Sequence, residues 1–255
     1  MLFDSHAHLD DSKFDADREK VILSMQESGV SYIANIGYDL ESSRRSIVLA
    51  KRYPFIYAVV GVHPHDVENL TEADILELKE LAKSDKVVAI GEIGLDYYYD
   101  NSPRDLQKKW FERQIELALE LKLPIVIHNR DSNSDCMEIL RKYPVKKIGG
   151  IMHCYSGSAQ MAKEVIDMGL CLSFAGPVTF KNNRRGVEAV AEVPLSKILI
   201  ETDCPYLAPE PVRGTRNDSR NVKLVAEKVA EIKGISFEEV AKVTTENAKR
   251  VYRIK

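Results

Sequence analysis

Cysteines are few in this sequence, and their spacing argues against a disulfide framework. Its 255 residues include only Cys136, Cys154, Cys171 and Cys204, with no Cys-x-x-Cys pair among them. Scattered thiols of this kind are typical of a reducing compartment. The start of the chain, Met1-Leu2-Phe3-Asp4, also lacks the basic segment and long apolar segment of a secretion signal. We therefore expect a cytoplasmic protein.

Long hydrophobic runs and an excess of positive charge are also missing. No apolar run is long enough to cross a bilayer, so no membrane partner is expected. The formal net charge of −3 and the pI of about 6.1 argue against a globally basic nucleic-acid binder. They leave room for an enzyme that meets nucleic acid through a local patch and metal ions. No obligate protein partner is evident.

What the sequence does have is an alternation of β-branched runs and helix-period segments. The clearest helix is Arg104–Leu121; two more, Arg220–Ile232 and Phe237–Tyr252, follow a loop at Pro205–Asp218. The predicted strands are Leu2–His6, Ser31–Ile36, Ile56–Val62, Val87–Ile93, Ile125–His128, Ile148–His153, Cys171–Phe174 and Ile198–Thr202.

Eight strand–helix units of about 32 residues each favour a TIM (β/α)8 barrel, which typically needs ~250 residues. The alternative is an open doubly wound sheet, which is also built from βα units. With 44% hydrophobic residues there is enough apolar material for a large core, and no low-complexity linker interrupts the chain. We predict one domain over residues 1–255.

Residue types that bind metals stand at the ends of five predicted strands. In a barrel the carboxyl ends of the strands carry the functional residues. Side chains alternate along a strand, so an i, i+2 pair of histidines shares one face. The candidate ligands are His6 and His8, Glu92, His128, His153 and Asp203.

Closing a barrel would gather these residues into two groups, each of which could bind one cation. Strand eight would lie beside strand one, so that Asp203 would approach His6 and His8. Strands five and six are neighbours, so His128 and His153 would form the second group. Glu92 is the candidate to bridge two cations, which such sites hold ~3.5–4 Å apart.

The same residues carry a family resemblance along essentially the whole chain. The chain resembles the TatD family of metal-dependent hydrolases, within the amidohydrolase-type metallo-barrels. The matching segments are Asp4-Ser5-His6-Ala7-His8-Leu9, Gly61-Val62-His63-Pro64-His65, Gly91-Glu92-Ile93-Gly94-Leu95-Asp96-Tyr97, His128-Asn129-Arg130, His153-Cys154-Tyr155-Ser156-Gly157, Glu201-Thr202-Asp203-Cys204-Pro205-Tyr206-Leu207 and Arg213-Gly214 with Asn217. One departure is Asp218-Ser219, where an acid followed by proline is expected.

The resemblance implies a barrel and a two-metal centre held by the six candidate ligands. It also implies deoxyribonuclease activity, often the removal of nucleotides from single-stranded DNA, so that DNA is the expected substrate. Four imidazoles favour zinc, nickel, iron or manganese over magnesium, which prefers oxygen ligands and retained waters. The family's nuclease activity, however, is usually described as magnesium-dependent.

Roles can be assigned to individual residues as hypotheses. Asp203 is the first choice to take a proton from the attacking water, and Glu92 is the second catalytic carboxylate. Three residues that follow strand ends or lie in the long loop are expected to bind substrate phosphates: His63, Arg130 and Arg213. Glu201 either orients a ligand histidine or satisfies a core hydrogen bond.

Two other functions fit the same residues. A hydrolase with this metal centre could act on another ester or amide, such as an aminoacyl ester on tRNA, because fold and ligands do not fix the substrate. A protein that holds metal without turnover is the third reading, and the complete ligand set with a candidate base disfavours it.

Overall fold

Strands and helices alternate along the chain as the sequence predicts. The computed structural model describes residues 1–255. The strands are β1 Leu2–Ala7, β2 Val30–Ile36, β3 Ile56–Val60, β4 Val87–Asp96, β5 Ile125–Arg130, β6 Gly150–Met152, β7 Leu170–Phe174 and β8 Ile198–Ile200. The helices are α1 Arg18–Glu27, α2 Leu40–Arg52, α3 Glu72–Leu81, α4 Arg104–Leu121, α5 Asn133–Lys142, α6 Ala159–Asp167, α7 Arg184–Glu192, α8 Val222–Lys233 and α9 Phe237–Tyr252.

The strand order decides between the two predicted architectures. All eight strands belong to one sheet in the order β1 to β8, with parallel pairing. An open doubly wound sheet would reverse its strand order at a switch point, and this sheet does not. A parallel bridge between Ala7 and Cys204 also joins the end of β1 to the segment after β8. The (β/α)8 barrel prediction is confirmed.

The chain divides into two compact units, which we describe separately. The first unit contains residues 1–35, 154–166 and 171–255, and the second contains residues 36–153 and 167–170. The prediction of one domain over residues 1–255 stays a prediction.

In the first unit, α9 packs against the beginning of β1. Tyr252 is 2% exposed, its ring stacks on Phe3 with centroids 5.9 Å apart, and its hydroxyl donates to the carbonyl of Ser5 at 2.8 Å. The Ser5 hydroxyl in turn donates to the carbonyl of Ile200 at 3.0 Å. These contacts fix the strand that carries His6.

In the second unit, two buried glutamines of α4 hold the ends of neighbouring strands. Gln114 accepts from the Val62 N–H at 2.8 Å and donates to its carbonyl at 2.9 Å. Gln107 accepts from the Asp96 N–H at 2.9 Å and donates to its carbonyl at 3.2 Å. The two side chains are seven residues apart and therefore share one helix face. Each glutamine supplies hydrogen bonds to backbone groups that would otherwise lack a partner at the end of the strand.

Several predicted boundaries differ from the structure. Strand β4 continues to Asp96, because it pairs with β5 as far as Arg130. Strand β8 ends at Ile200 and not at Thr202, because the Thr202 N–H donates to the Asp4 carboxylate. Helix α8 begins at Val222, since Asp218 first caps a short 3₁₀ turn over Ser219–Asn221. None of the helices combines the length and apolar character that a membrane crossing requires.

Candidate metal sites

The first cluster consists of His6, His8 and Asp203, in the first unit. The His6 and His8 Nε2 atoms lie 3.2 Å apart, with His6 in β1 and His8 directly after the strand ends. The Asp203 Oδ1 atom lies 3.6 Å from His6 Nε2 and 3.4 Å from His8 Nε2. The side chain of His6 is fully buried, and that of Asp203 is 15% exposed. The carboxylate therefore forms the solvent-facing side of the cluster.

The backbone around Asp203 holds its carboxylate in place. Asp203 has a φ of 55°, in the left-handed region that aspartate tolerates better than most residues. Its N–H donates to the His6 carbonyl at 2.9 Å, and the His8 N–H donates to the Cys204 carbonyl at 2.8 Å. The preceding Thr202 hydroxyl donates to the buried Asp4 carboxylate at 2.6 Å. The ligand positions thus depend on contacts between the two ends of the chain.

The spacing of the first cluster fits a single cation. Two ligand atoms that each lie about 2.1 Å from one metal at a tetrahedral angle are about 3.4 Å apart. The three separations of 3.2, 3.4 and 3.6 Å all lie close to this value. Two imidazoles and a carboxylate are also a donor set that divalent transition metals accept. The residues present fit a metal ion.

The second cluster consists of Glu92, His128 and His153, in the second unit. The Glu92 Oε1 atom lies 2.8 Å from His128 Nδ1 and 2.7 Å from His153 Nε2, and the two nitrogens are 3.2 Å apart. Glu92 and His153 are buried. The two shorter separations are hydrogen-bond distances. The atoms would have to move apart by about 0.6 Å to reach the spacing of two ligands on one tetrahedral metal ion. This donor set also fits a metal ion.

Asp96 orients the second cluster from behind. Its Oδ2 atom accepts from His128 Nε2 and from His65 Nε2, each at 3.0 Å. Burial raises the pKa of Asp96, but the hydrogen bonds from the two imidazoles outweigh it and hold the pKa well below its usual value. Burial likewise lowers the pKa of His128, and the bonds to Asp96 and Glu92 reverse the direction and raise it. A carboxylate on the far nitrogen of a ligand histidine fixes its tautomer and ring direction.

Gly91 and Gly94 lie beside this cluster, where strands β4 and β5 approach too closely for a side chain. A Cβ on Gly94 would lie 1.9 Å from the carbonyl oxygen of His128, and Gly94 has a φ of 146°. A Cβ on Gly91 would lie 2.7 Å from the Cβ of Val126. The pattern Gly91-Glu92-Ile93-Gly94 is therefore explained by the packing of β4 against β5 next to His128.

His63 lies against the second cluster. Its Nε2 atom is 3.6 Å from Glu92 Oε1, and its ring centroid is 4.4 Å from that of His128. Burial lowers the pKa of His63 well below its usual value, and the neighbouring His128 lowers it further. A neutral imidazole with an available lone pair can serve as a metal ligand or as a hydrogen-bond acceptor. Its predicted contact with substrate stays a prediction.

The other predicted site residues lie in different surroundings. Arg130 and Arg213 are exposed; Arg213 lies 4.2 Å from the ring centroid of Phe180 and 3.9 Å from the Glu210 carboxylate. Glu201 is fully buried and accepts the backbone N–H of Cys154, the residue after His153, at 2.7 Å. Glu201 therefore holds the backbone next to His153, a predicted ligand, and its role in orienting a ligand imidazole stays a prediction.

Sequence reasoning missed the positioning roles of Asp96, Gln107 and Gln114. A signal existed for Asp96: it lies four residues after Glu92 on one strand and so on the same face. The buried glutamines give no such signal, because their partners are backbone groups of strands far away in the sequence.

A parallel barrel with buried histidine–carboxylate clusters after its strands is typical of one class of protein, the metal-dependent hydrolases. The comparison with known families is specific: residues 3–253 match the TatD related DNase family. The chain belongs to this family.

Its relatives span the whole chain. It is 50% identical over 254 residues to an uncharacterized metal-dependent hydrolase, YabD, of Bacillus subtilis, with all of both chains covered. It is 32% identical to the 3′-5′ ssDNA/RNA exonuclease TatD of Pectobacterium carotovorum, covering 99% of this chain and all of that one. Among solved structures, the TatD homologue YJJV of Escherichia coli K12 superposes with a TM-score of 0.94 at 26% identity, covering 100% of this chain and 98% of that one.

Proposed function

We propose that this protein is a deoxyribonuclease that hydrolyses phosphodiester bonds of single-stranded DNA, working as an exonuclease with two divalent cations. The observation that carries the proposal is the pair of clusters, each with two imidazoles and a carboxylate whose nitrogen and oxygen atoms lie 2.7 to 3.6 Å apart. The name of the Pectobacterium relative, a 3′-5′ ssDNA/RNA exonuclease, supports the substrate class.

The clusters divide the ligands between them. His6, His8 and Asp203 would hold one cation, and Glu92, His128 and His153 the other; that Glu92 bridges both cations stays a prediction. When bound, such cations neutralise charge on a phosphate and lower the pKa of water. We infer that the imidazole-rich set retains zinc, manganese or nickel, and that magnesium also supports cleavage.

Asp203 is proposed to take the proton of the attacking water. It is the most exposed member of the first cluster, and its backbone is held at a fixed φ by a hydrogen bond to the His6 carbonyl. A positioned carboxylate can accept a proton without moving, which is what a general base requires. His63, Arg130 and Arg213 are proposed to bind phosphate oxygens of the substrate.

The test uses a single-stranded DNA oligonucleotide labelled at its 5′ end. Metal-stripped protein is restored with magnesium, manganese or zinc, and the products are separated by length. We expect a metal-dependent ladder that is absent with His128→Ala. The matched control is Glu138→Ala, an exposed glutamate of α5 whose carboxylate lies 3.7 Å from Lys142. No cleavage under any metal, in protein shown to bind that metal, would reject the nuclease and favour hydrolysis of another ester or amide.

A further inference from the structure

Two neighbouring tyrosines are exposed next to the second cluster. Tyr98 is 58% exposed and Tyr99 is 55% exposed, in the turn that follows β4. Their ring centroids are 4.9 Å apart and the rings are nearly perpendicular. Tyr99 also contacts the ring of His65 edge to face, at 5.4 Å. Aromatic rings that are exposed together in one patch are typical of an interaction site.

Arg130 lies against both rings, which stay exposed. Its guanidinium lies 4.0 Å from the ring centroid of Tyr98 and 4.8 Å from that of Tyr99. Arg130 is the last residue of β5 and lies opposite Asp96 of β4 in the register of the two strands. Stacking on two rings restricts the guanidinium, and Arg130 as a residue remains exposed at the surface. We call Tyr98, Tyr99 and Arg130 the aromatic clamp.

One buried carboxylate fixes the aromatic clamp relative to the second cluster. Asp96 Oδ1 accepts the N–H of Tyr98 at 3.0 Å and the N–H of Tyr99 at 2.8 Å. The other oxygen, Oδ2, accepts from His128 Nε2 at 3.0 Å. The turn that carries the rings and the imidazole that carries a metal ligand atom are thus bonded to the same fully buried group. A ligand held on the rings has a defined position relative to His128.

The neighbouring Tyr97 shows what a structural tyrosine looks like in this segment. Its hydroxyl donates to Asp135 at 2.6 Å, and Arg104 lies 4.2 Å from its ring centroid. Tyr97 is therefore used within the fold. Tyr98 donates through its backbone but presents its ring to solvent, and Tyr99 does the same.

We propose that the aromatic clamp binds one unpaired nucleobase of the DNA strand together with an adjacent phosphate. The rings supply a stacking surface that any base can use, and Arg130 supplies a charged fork for phosphate oxygens. Bases in a duplex are already stacked on their neighbours, so the clamp selects single-stranded substrate. The inference rests on the proposed nuclease function and names a binding site for its substrate.

The first test is equilibrium binding, which does not depend on cleavage. Metal-stripped full-length protein is titrated into a fluorescein-labelled oligothymidylate of eight nucleotides and into an abasic chain of equal length. Wild type should bind the thymidylate about tenfold more tightly, or about 1.4 kcal/mol. The double variant Tyr98→Leu/Tyr99→Leu should lose this preference. The control Tyr57→Leu replaces a half-buried tyrosine of β3, in the same unit, and should keep it.

The phosphate contact has its own readout. Arg130→Gln should weaken the binding of both oligomers equally and reduce the slope of log affinity against log salt by about 0.7. Equal affinity of wild type for the two oligomers, or no binding of either, would overturn the clamp. So would a double variant that still prefers thymidylate.

Different results would reject the aromatic clamp and the proposed nuclease function. A protein that cleaves DNA with metal but binds base-containing and abasic chains alike would overturn the clamp alone. A protein with the base preference but no metal-dependent cleavage would support the clamp and reject the nuclease.

Discussion

Asp203 has two proposed roles in the first cluster: it holds a cation and it takes the proton of the attacking water. Replacing it with asparagine keeps the shape and the backbone contacts but removes the group that accepts a proton. We predict that Asp203→Asn lowers kcat on single-stranded DNA by about 10²–10⁴-fold while the melting temperature of the metal-free protein is nearly unchanged.

The control for this variant is Asp17→Asn, which removes a partly exposed carboxylate that pairs with Arg216 at 2.7 Å. It should leave kcat unchanged. Near-full turnover in Asp203→Asn would show that Asp203 is at most a ligand and that another group moves the proton.

Asp96 acts on the second cluster through His128. Asparagine at this position keeps one acceptor oxygen in place of two and has no charge to stabilise the imidazole, so the ring loses its fixed direction. We predict that Asp96→Asn lowers the affinity of the second cluster for manganese or zinc by about 10–100-fold, measured by calorimetric titration of stripped protein. Asp135→Asn, which removes the charge of the carboxylate that accepts the Tyr97 hydroxyl, should bind metal like wild type. An unchanged affinity in Asp96→Asn would mean that packing alone orients His128.

At the scale of elements, β4 and β5 approach too closely for any side chain at Gly94. We predict that Gly94→Ala lowers the free energy of unfolding by about 1–3 kcal/mol and displaces His128, because the new Cβ would meet its carbonyl oxygen. Gly149→Ala is the matched control: Gly149 also has a positive φ, 72°, but its Cβ would meet only one atom within 4 Å, at 3.8 Å. Urea denaturation of both variants measures the difference. Equal losses would show that backbone conformation, and not crowding, is the reason for glycine at both positions.

Helices were easier to predict than strand ends. Helix α4 and helix α9 begin and end where the sequence predicts, since α4 has a strong apolar stripe and Ser236 caps α9 by accepting the Glu239 N–H. The extension of β4 depends on a register shift between Ile90 and Ile93 and on pairing with β5, which no local pattern shows. The end of β8 depends on Asp4, almost two hundred residues away.

At the scale of the whole molecule, counting strand–helix units favoured the barrel, but an open doubly wound sheet is built from the same units, and the strand order of the structure excludes it. The grouping of His6 and His8 with Asp203 followed from the closure of a barrel. The place of His63 beside Glu92 and the hydrogen bonds of Asp96 could not be predicted, because each depends on side-chain directions that only the folded chain sets. The metal ligands themselves stay predictions.

The central claim is that each cluster holds one divalent cation, and metal content tests it most directly. Elemental analysis would be made on wild type, on His6→Ala/His8→Ala and on His128→Ala/His153→Ala, each loaded with manganese or zinc and freed of excess. We predict two ions per chain in wild type and one in each double variant, with folding checked by circular dichroism. Wild type without bound metal, or a folded double variant that keeps both ions, would contradict the claim.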